Sequence, residues 1–217
     1  LKNTGVEGRT LWDWMELLII PFVLAGGAFF LNRSERAVER QIAEDRAKLE
    51  REIASDRQQE AALQSYFDRM AELLLKEKLR TTTKKEVRDV ARTRTLTVLR
   101  GLDSTRKGLL IKFLREADLI VGKKPVIMLN GADLTHVNLQ GAIIKTINLR
   151  YTNLQFANLQ DAQLNDALLD GANLKFANLH LANLQNANLE RVNFYAAKLQ
   201  VATLVGAFLK MANLELA

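Results

Sequence analysis

The sequence predicts an α+β chain in several segments, with helices first and a coiled β-solenoid after them. Three observations carry this. A leucine or close substitute recurs at every fifth residue from Leu129 to Leu214, a highly charged stretch poor in glycine and proline precedes it, and an uncharged run occupies Leu17 to Asn32. The organisation changes along the 217 residues, so more than one structural unit is expected. The predicted segments are 1–32 with an apolar helix over about 11–32, a charged long helix over 33–78, a basic helical pair over 79–124 and the solenoid over 125–217.

The repeat is the strongest signal. Its central register runs through Leu129, Leu134, Leu139, Ile144, Leu149 and Leu154 to Phe194 and Leu214. Two residues before each member stands a partner, mostly alanine, with Ile127, Val137, Ile147, Thr152 and Val192 as larger occupants. A period of five fits neither the helix nor the alternating strand, so neither buries both registers on one side, whereas a square coil does. Leucine and alanine then share a narrow, close-packed interior, and the Asn or Asp between them suits a turn.

Ala132-Asp133-Leu134, Ala157-Asn158-Leu159, Ala172-Asn173-Leu174, Ala177-Asn178-Leu179 and Ala187-Asn188-Leu189 spell the motif A(D/N)LXX almost literally. In this the sequence resembles the pentapeptide-repeat family. The resemblance implies a right-handed quadrilateral parallel β-solenoid with four pentads per coil. Its length would be about 22 Å at the ~4.8 Å spacing of paired strands.

Trp12 and Trp14 flank the uncharged run, suiting a membrane interface and extending the apolar unit, so a single membrane-spanning helix is expected. Pro21 would loosen it and Gly26-Gly27 would allow close helix contact. A cleaved signal peptide or a buried core helix are the alternatives; Asp13 and Glu16 stand where a signal peptide carries positive charge. Arg33, Arg36, Arg40, Arg46 and Lys48 follow the run, against Lys2 and Arg9 before it, which predicts a single-pass membrane protein with its solenoid on the cytoplasmic side. The chain starts at Leu1 rather than methionine, so its true start is expected to lie upstream. Gly8 to Pro21 and Glu35 to Glu52 also resemble a group of cyanobacterial-type membrane proteins that join such a span, a charged helix and a pentapeptide solenoid. That resemblance implies architecture and attachment, with membrane lipids as partners, and brings little biochemistry.

Within the charged helix, Ile42, Leu49, Leu63 and Met70, with Ile53, Phe67 and Leu74 four residues after a member, form a heptad seam interrupted by Arg46, Asp56 and Glu60. It reads either as a coiled-coil stalk that makes a homo-oligomer or as a solvated spacer packing one side on the next segment. Thr83 followed by Glu86 predicts a capping box for a helix reaching about Arg100, and Gly101 and Asp103 mark its stop and the next start. This pair is expected to cover the first coil, whose edge otherwise exposes unpaired backbone groups. Its cations, with Lys84, Lys85, Arg88 and Arg92 foremost, are the candidate contact for an anionic partner, either nucleic acid or lipid heads, unless they are simply a solvated face.

Catalytic chemistry leaves no trace: there is no phosphate loop, nucleophile elbow or metal-ligand cluster, and no cysteine. His136 and His180 fall on different faces of the coil, and Asp133, Asp161, Asp166 and Asp170 read as solvated repeat residues. No catalytic residue, cofactor, metal or small-molecule substrate is predicted. Some members of the pentapeptide-repeat family imitate DNA, which requires an acidic rod. Here Lys145, Arg150, Lys175, Arg191, Lys198 and Lys210 balance the acids, so that role is disfavoured.

At twenty residues per coil, His136, Phe156 and Phe176 fall above one another on one outward column, with Tyr195 one residue before the next place. The four are the candidate protein-binding residues; stacking that only stiffens the rod is the alternative. The expected function is a non-catalytic, membrane-anchored scaffold or accessory subunit of a membrane complex, binding protein through the solenoid or the span. The alternative is a membrane-tethered regulatory adaptor whose basic segment binds nucleic acid or another anion, and of these nucleic acid is the less favoured.

Overall fold

The computed structural model describes residues 11–217. Gly8, Lys2 and Arg9, on which part of the membrane reading rests, lie outside them, as do the first ten residues of the predicted 1–32 segment. Three helices, α1 (Leu11–Leu75), α2 (Lys85–Gly101) and α3 (Ser104–Glu116), precede the repeats. The chain divides into two compact units at Asp56.

The first unit is the leading part of α1. The expected membrane span is corrected here: among the described residues no helix is long and apolar enough to cross a membrane. The uncharged run from Leu17 to Asn32 is shorter than the ~20 apolar residues a crossing needs, and Pro21, Gly26, Gly27 and Asn32 dilute it. The single-pass localisation and the orientation inferred from the flanking arginines fall with it. Within this unit the heptad residues Ile42, Leu49 and Ile53 are exposed, as is Val38.

The second unit begins with the rest of α1. Here the same seam is covered, with Leu63 and Met70 buried and Phe67 and Leu74 packed at the edge of the core. Phe67 meets Phe113 of α3 edge-on at 4.9 Å. Tyr66 reaches Thr95 of α2 at 2.8 Å, and the Thr95 hydroxyl donates to the Ala91 carbonyl, which leaves the Tyr66 hydroxyl as donor. Burial pushes that phenol well above its ordinary range, and the bond to Thr95 offsets only part of the effect. The capping box is a second correction: α2 is preceded by Lys84 rather than Thr83, and no side chain caps it. Asp103 does cap α3, accepting from the amides of Thr105 and Arg106. Burial of its carboxyl raises the pKa, but the hydrogen bonds from Arg106 and Thr105 outweigh this and hold it below the ordinary carboxylate range.

From Asp133 onward, each bridged residue pairs in parallel with the residue twenty positions later, as in Asp133 with Asn153 and Asn153 with Asn173. Four pentads therefore make a coil. The pairing consists of single bridges between turns and not of continuous strands, because each short face leaves one residue extended before the next corner. Each pentad still ties to the next coil: Leu154 N donates to Asn173 O at 2.8 Å, Phe156 N to Lys175 O at 3.0 Å, and Asn158 N donates back to Val137 O at 2.9 Å. The central leucines from Leu134 to Leu189, their alanine partners and Phe194 are buried. Thr152 is tolerated inside because its hydroxyl donates to Leu149 O at 2.7 Å.

The helical segment meets the first coil through specific polar contacts. Asn138 N donates to Ser104 O at 2.9 Å, and Asn148 N to Ile120 O at 2.8 Å. Val121 bridges Ile147 in antiparallel sense. Lys107, buried, donates to Thr135 O at 3.1 Å and lies 3.7 Å from Asp133.

Candidate functional site

The third residue of every corner has positive φ, and nearly all corners are turns closed three residues apart, as from Ala157 N to Leu154 O. His136 (φ 59), Phe156 (φ 58) and Phe176 (φ 60) occupy this place on one column. An L-residue there is disfavoured, and glycine relieves the cost at Gly131, Gly141, Gly171 and Gly206. Bulky side chains at these corners are aimed outward.

The predicted column is assembled as contacts. His136 and Phe156 stack with centroids 5.0 Å apart and planes 6° from parallel; Phe156 and Phe176 follow at 5.0 Å and 11°. Tyr195 turns its ring edgewise to Phe176 at 5.8 Å and 87°. Coil spacing enforces the stack, because one residue per coil enters the column. The rings cover one another's faces, yet Phe156 remains 47% and Phe176 44% exposed. What they present outward is therefore their edges, which carry the positive part of the ring quadrupole. Lys175, which the sequence shows only as one of the cations that balance the acids, lies 5.8 Å from the Tyr195 centroid. Its separation of twenty residues from Tyr195 is the signal that places them in adjacent coils.

The four basic candidates are dispersed in role. Lys84 lies 3.7 Å from Glu77. Arg92 donates from Nε to Met128 O and from Nη2 to Asn130 O, both at 3.0 Å, joining α2 to the start of the repeats. Arg88 donates from Nη2 to Thr82 O at 2.6 Å, and its Nε is buried without a partner. Lys85, in the first turn of α2, is exposed.

Two of the acids read as solvated have partners. Asp170 accepts from Arg150 Nε at 2.5 Å. Asp133 accepts from the Thr135 amide and hydroxyl and faces Lys107. Burial raises the Asp133 pKa, but the Thr135 bonds and the Lys107 charge outweigh it and hold the group below its ordinary range.

The geometry defines a class first: a rod of stacked pentads with solvent-facing columns. The family profile of pentapeptide repeats matches residues 147–186 and 177–215, so the carboxy-terminal region consists of pentapeptide repeats. No curated protein matches the chain. Solved structures similar to it include QnrB1, a plasmid-mediated fluoroquinolone resistance protein, at 22% identity over 38% of this chain and 40% of that one, with a TM-score of 0.35. The pentapeptide repeat protein Rfr23 from the cyanobacterium Cyanothece 51142 is similar at 32% identity over 42% of this chain and 65% of that one, with a TM-score of 0.24. One from the Arabidopsis thaliana thylakoid lumen is similar at 31% identity over 37% and 59%, with a TM-score of 0.25. The chain covers less than two thirds of each. Pentapeptide-repeat proteins are generally non-catalytic protein-interaction modules.

Proposed function

We propose that this chain is a non-catalytic scaffold or accessory subunit that binds a partner protein through the solenoid face carrying His136, Phe156, Phe176 and Tyr195. The observation that carries the reading is a continuous stack whose ring edges stay exposed although their faces are satisfied. Stacking accounts for the faces and leaves the edges available. Aromatic side chains supply large contact area at small entropic cost. Positive ring edges, reinforced by Lys175, fit a partner surface whose apolar centre is fringed by carbonyl or carboxylate oxygens.

The test replaces Phe156 and Phe176 together by Ser, with Leu181→Ser as a control at an exposed corner of another face. Native co-purification should recover a stoichiometric protein with the parent chain and with Leu181→Ser, and lose it with the double variant. The stability of the double variant should fall by about 0.5–1.5 kcal/mol for each stacked pair removed, beyond the loss of the apolar area the rings cover. A lowered melting temperature with the partner retained assigns the column to stiffening alone.

A further inference from the structure

A small cavity of about 200 Å³ lies where the first turn of α2 approaches the chain around Pro125. Lys85, Arg88 and Arg92 line it, with Thr83 and Asp89 beside them and Met128 on the far wall. Three cations thus converge on one recess against a single lining carboxylate, that of Asp89.

The guanidinium groups are held in place by the fold. Arg92 is fixed by the carbonyls of Met128 and Asn130, and Arg88 by the carbonyl of Thr82. The Arg88 Nε is nevertheless buried and unsatisfied. A buried charged donor without an acceptor is costly to keep, and a shift of the Arg88 side chain toward an incoming anion would remove that cost. The Thr83 hydroxyl and the Lys85 ammonium add mobile donors at the rim. The recess offers many donors, a positive field and room for one small polyatomic anion, but not for a nucleic-acid strand.

We propose that this recess binds a single phosphate group, either as inorganic phosphate or as a phosphomonoester. Arg88 and Lys85 supply the charge-assisted hydrogen bonds, and Arg92 holds the wall and contributes its charge. Asp89 makes the choice specific. Inorganic phosphate keeps a P–OH at neutral pH and donates it to the Asp89 carboxylate, a phosphomonoester does so only through its minority monoanion there, and sulfate has no proton and meets that carboxylate as a repelling charge. This inference is independent of the aromatic column, which belongs to the coils rather than to α2.

The experiment titrates the full chain with sodium phosphate and, at matched ionic strength, with sodium sulfate at pH 7, read by calorimetry. Saturable phosphate binding is expected, at least about tenfold tighter than sulfate. Arg88→Gln should weaken it about tenfold or more with the far-ultraviolet dichroism unchanged. Lys85→Gln, at an exposed position, should weaken it in the same direction and serves if Arg88→Gln fails to fold. Asp89→Asn should narrow the gap between phosphate and sulfate. Phosphoserine competing with phosphate would assign the site to a group carried on a larger molecule; phosphate binding without that competition would assign it to the free ion. No saturable phosphate heat, or unchanged affinity in both Arg88→Gln and Lys85→Gln, overturns the proposal.

Discussion

In the pentad coils each interaction is made many times, whereas in the helical segment that meets them each is made once. Leu154, Leu159, Leu164 and Leu169 fill equivalent places and tie to the next coil through equivalent backbone bonds. Lys107 on the Thr135 carbonyl and Gly108 against Asn138 are contacts with no counterpart twenty residues on. The coils are nearest-neighbour structures whose stability sums over repeats. The helical segment depends on a few close approaches, so its failures should be local in sequence and specific in cause.

The largest effect should come from breaking the repeated interior. Leu174 is fully buried, and Leu174→Asp places a charge in a narrow apolar channel with no partner; a loss above about 4 kcal/mol is expected by urea denaturation. Lys175→Ala, one residue on, should cost no more than about 0.5–1 kcal/mol, the scale of an exposed cation–aromatic contact. Equal losses would mean that the inward frame is misplaced.

The singular contact should break next. A Cβ on Gly108 would lie 2.1 Å from the backbone carbonyl oxygen of Asn138, so Gly108→Ala should cost about 1–3 kcal/mol as α3 is pushed from the first coil. Gly101→Ala meets nothing within 4 Å at the end of α2 and should be neutral or stabilising by up to about 1 kcal/mol. Indistinguishable melting temperatures for the two would remove the close approach.

Acid should act least and selectively. The folded-state pKa values of Asp133 and Asp103 are both depressed, so their contribution is fully present above the ordinary aspartate range and is lost as pH falls through the lower folded values. Amide exchange at Asn138, which donates to Ser104 next to the Asp103 cap, should accelerate below about pH 4 before exchange at Asn178 inside the coils. Simultaneous acceleration would make the two regions one cooperative unit.

This contrast also explains what the sequence reveals. Period five exposes both inward registers because a uniform coil repeats one environment, and the spacing of twenty predicts the contacts among His136, Phe156, Phe176 and Tyr195. The burial of Lys107 was not legible, because a lysine in a basic segment carries no sign of the carbonyl and carboxylate that receive it. Nor was the bridge between Val121 and Ile147, made once across different elements. The heptad seam is uniform in sequence but not in environment: Leu63 and Met70 are buried while Ile42 and Leu49 are exposed. The apolar run reads as a span only when Trp12 and Trp14 are counted with it; Leu17 to Asn32 ends in charge before it can cross a bilayer.

The corners at every fifth residue and the bridges at every twentieth make the rod a device with two separate counts. Inserting five residues between Phe156 and Phe176 preserves every inward leucine and alanine, yet turns all later columns by one face and carries Phe176 away from Phe156. Inserting twenty preserves the interior and every column, and adds one storey. Lineages can therefore lengthen such a rod by fives without harming its core while scrambling its surface, and keep a surface pattern only by growing in whole coils.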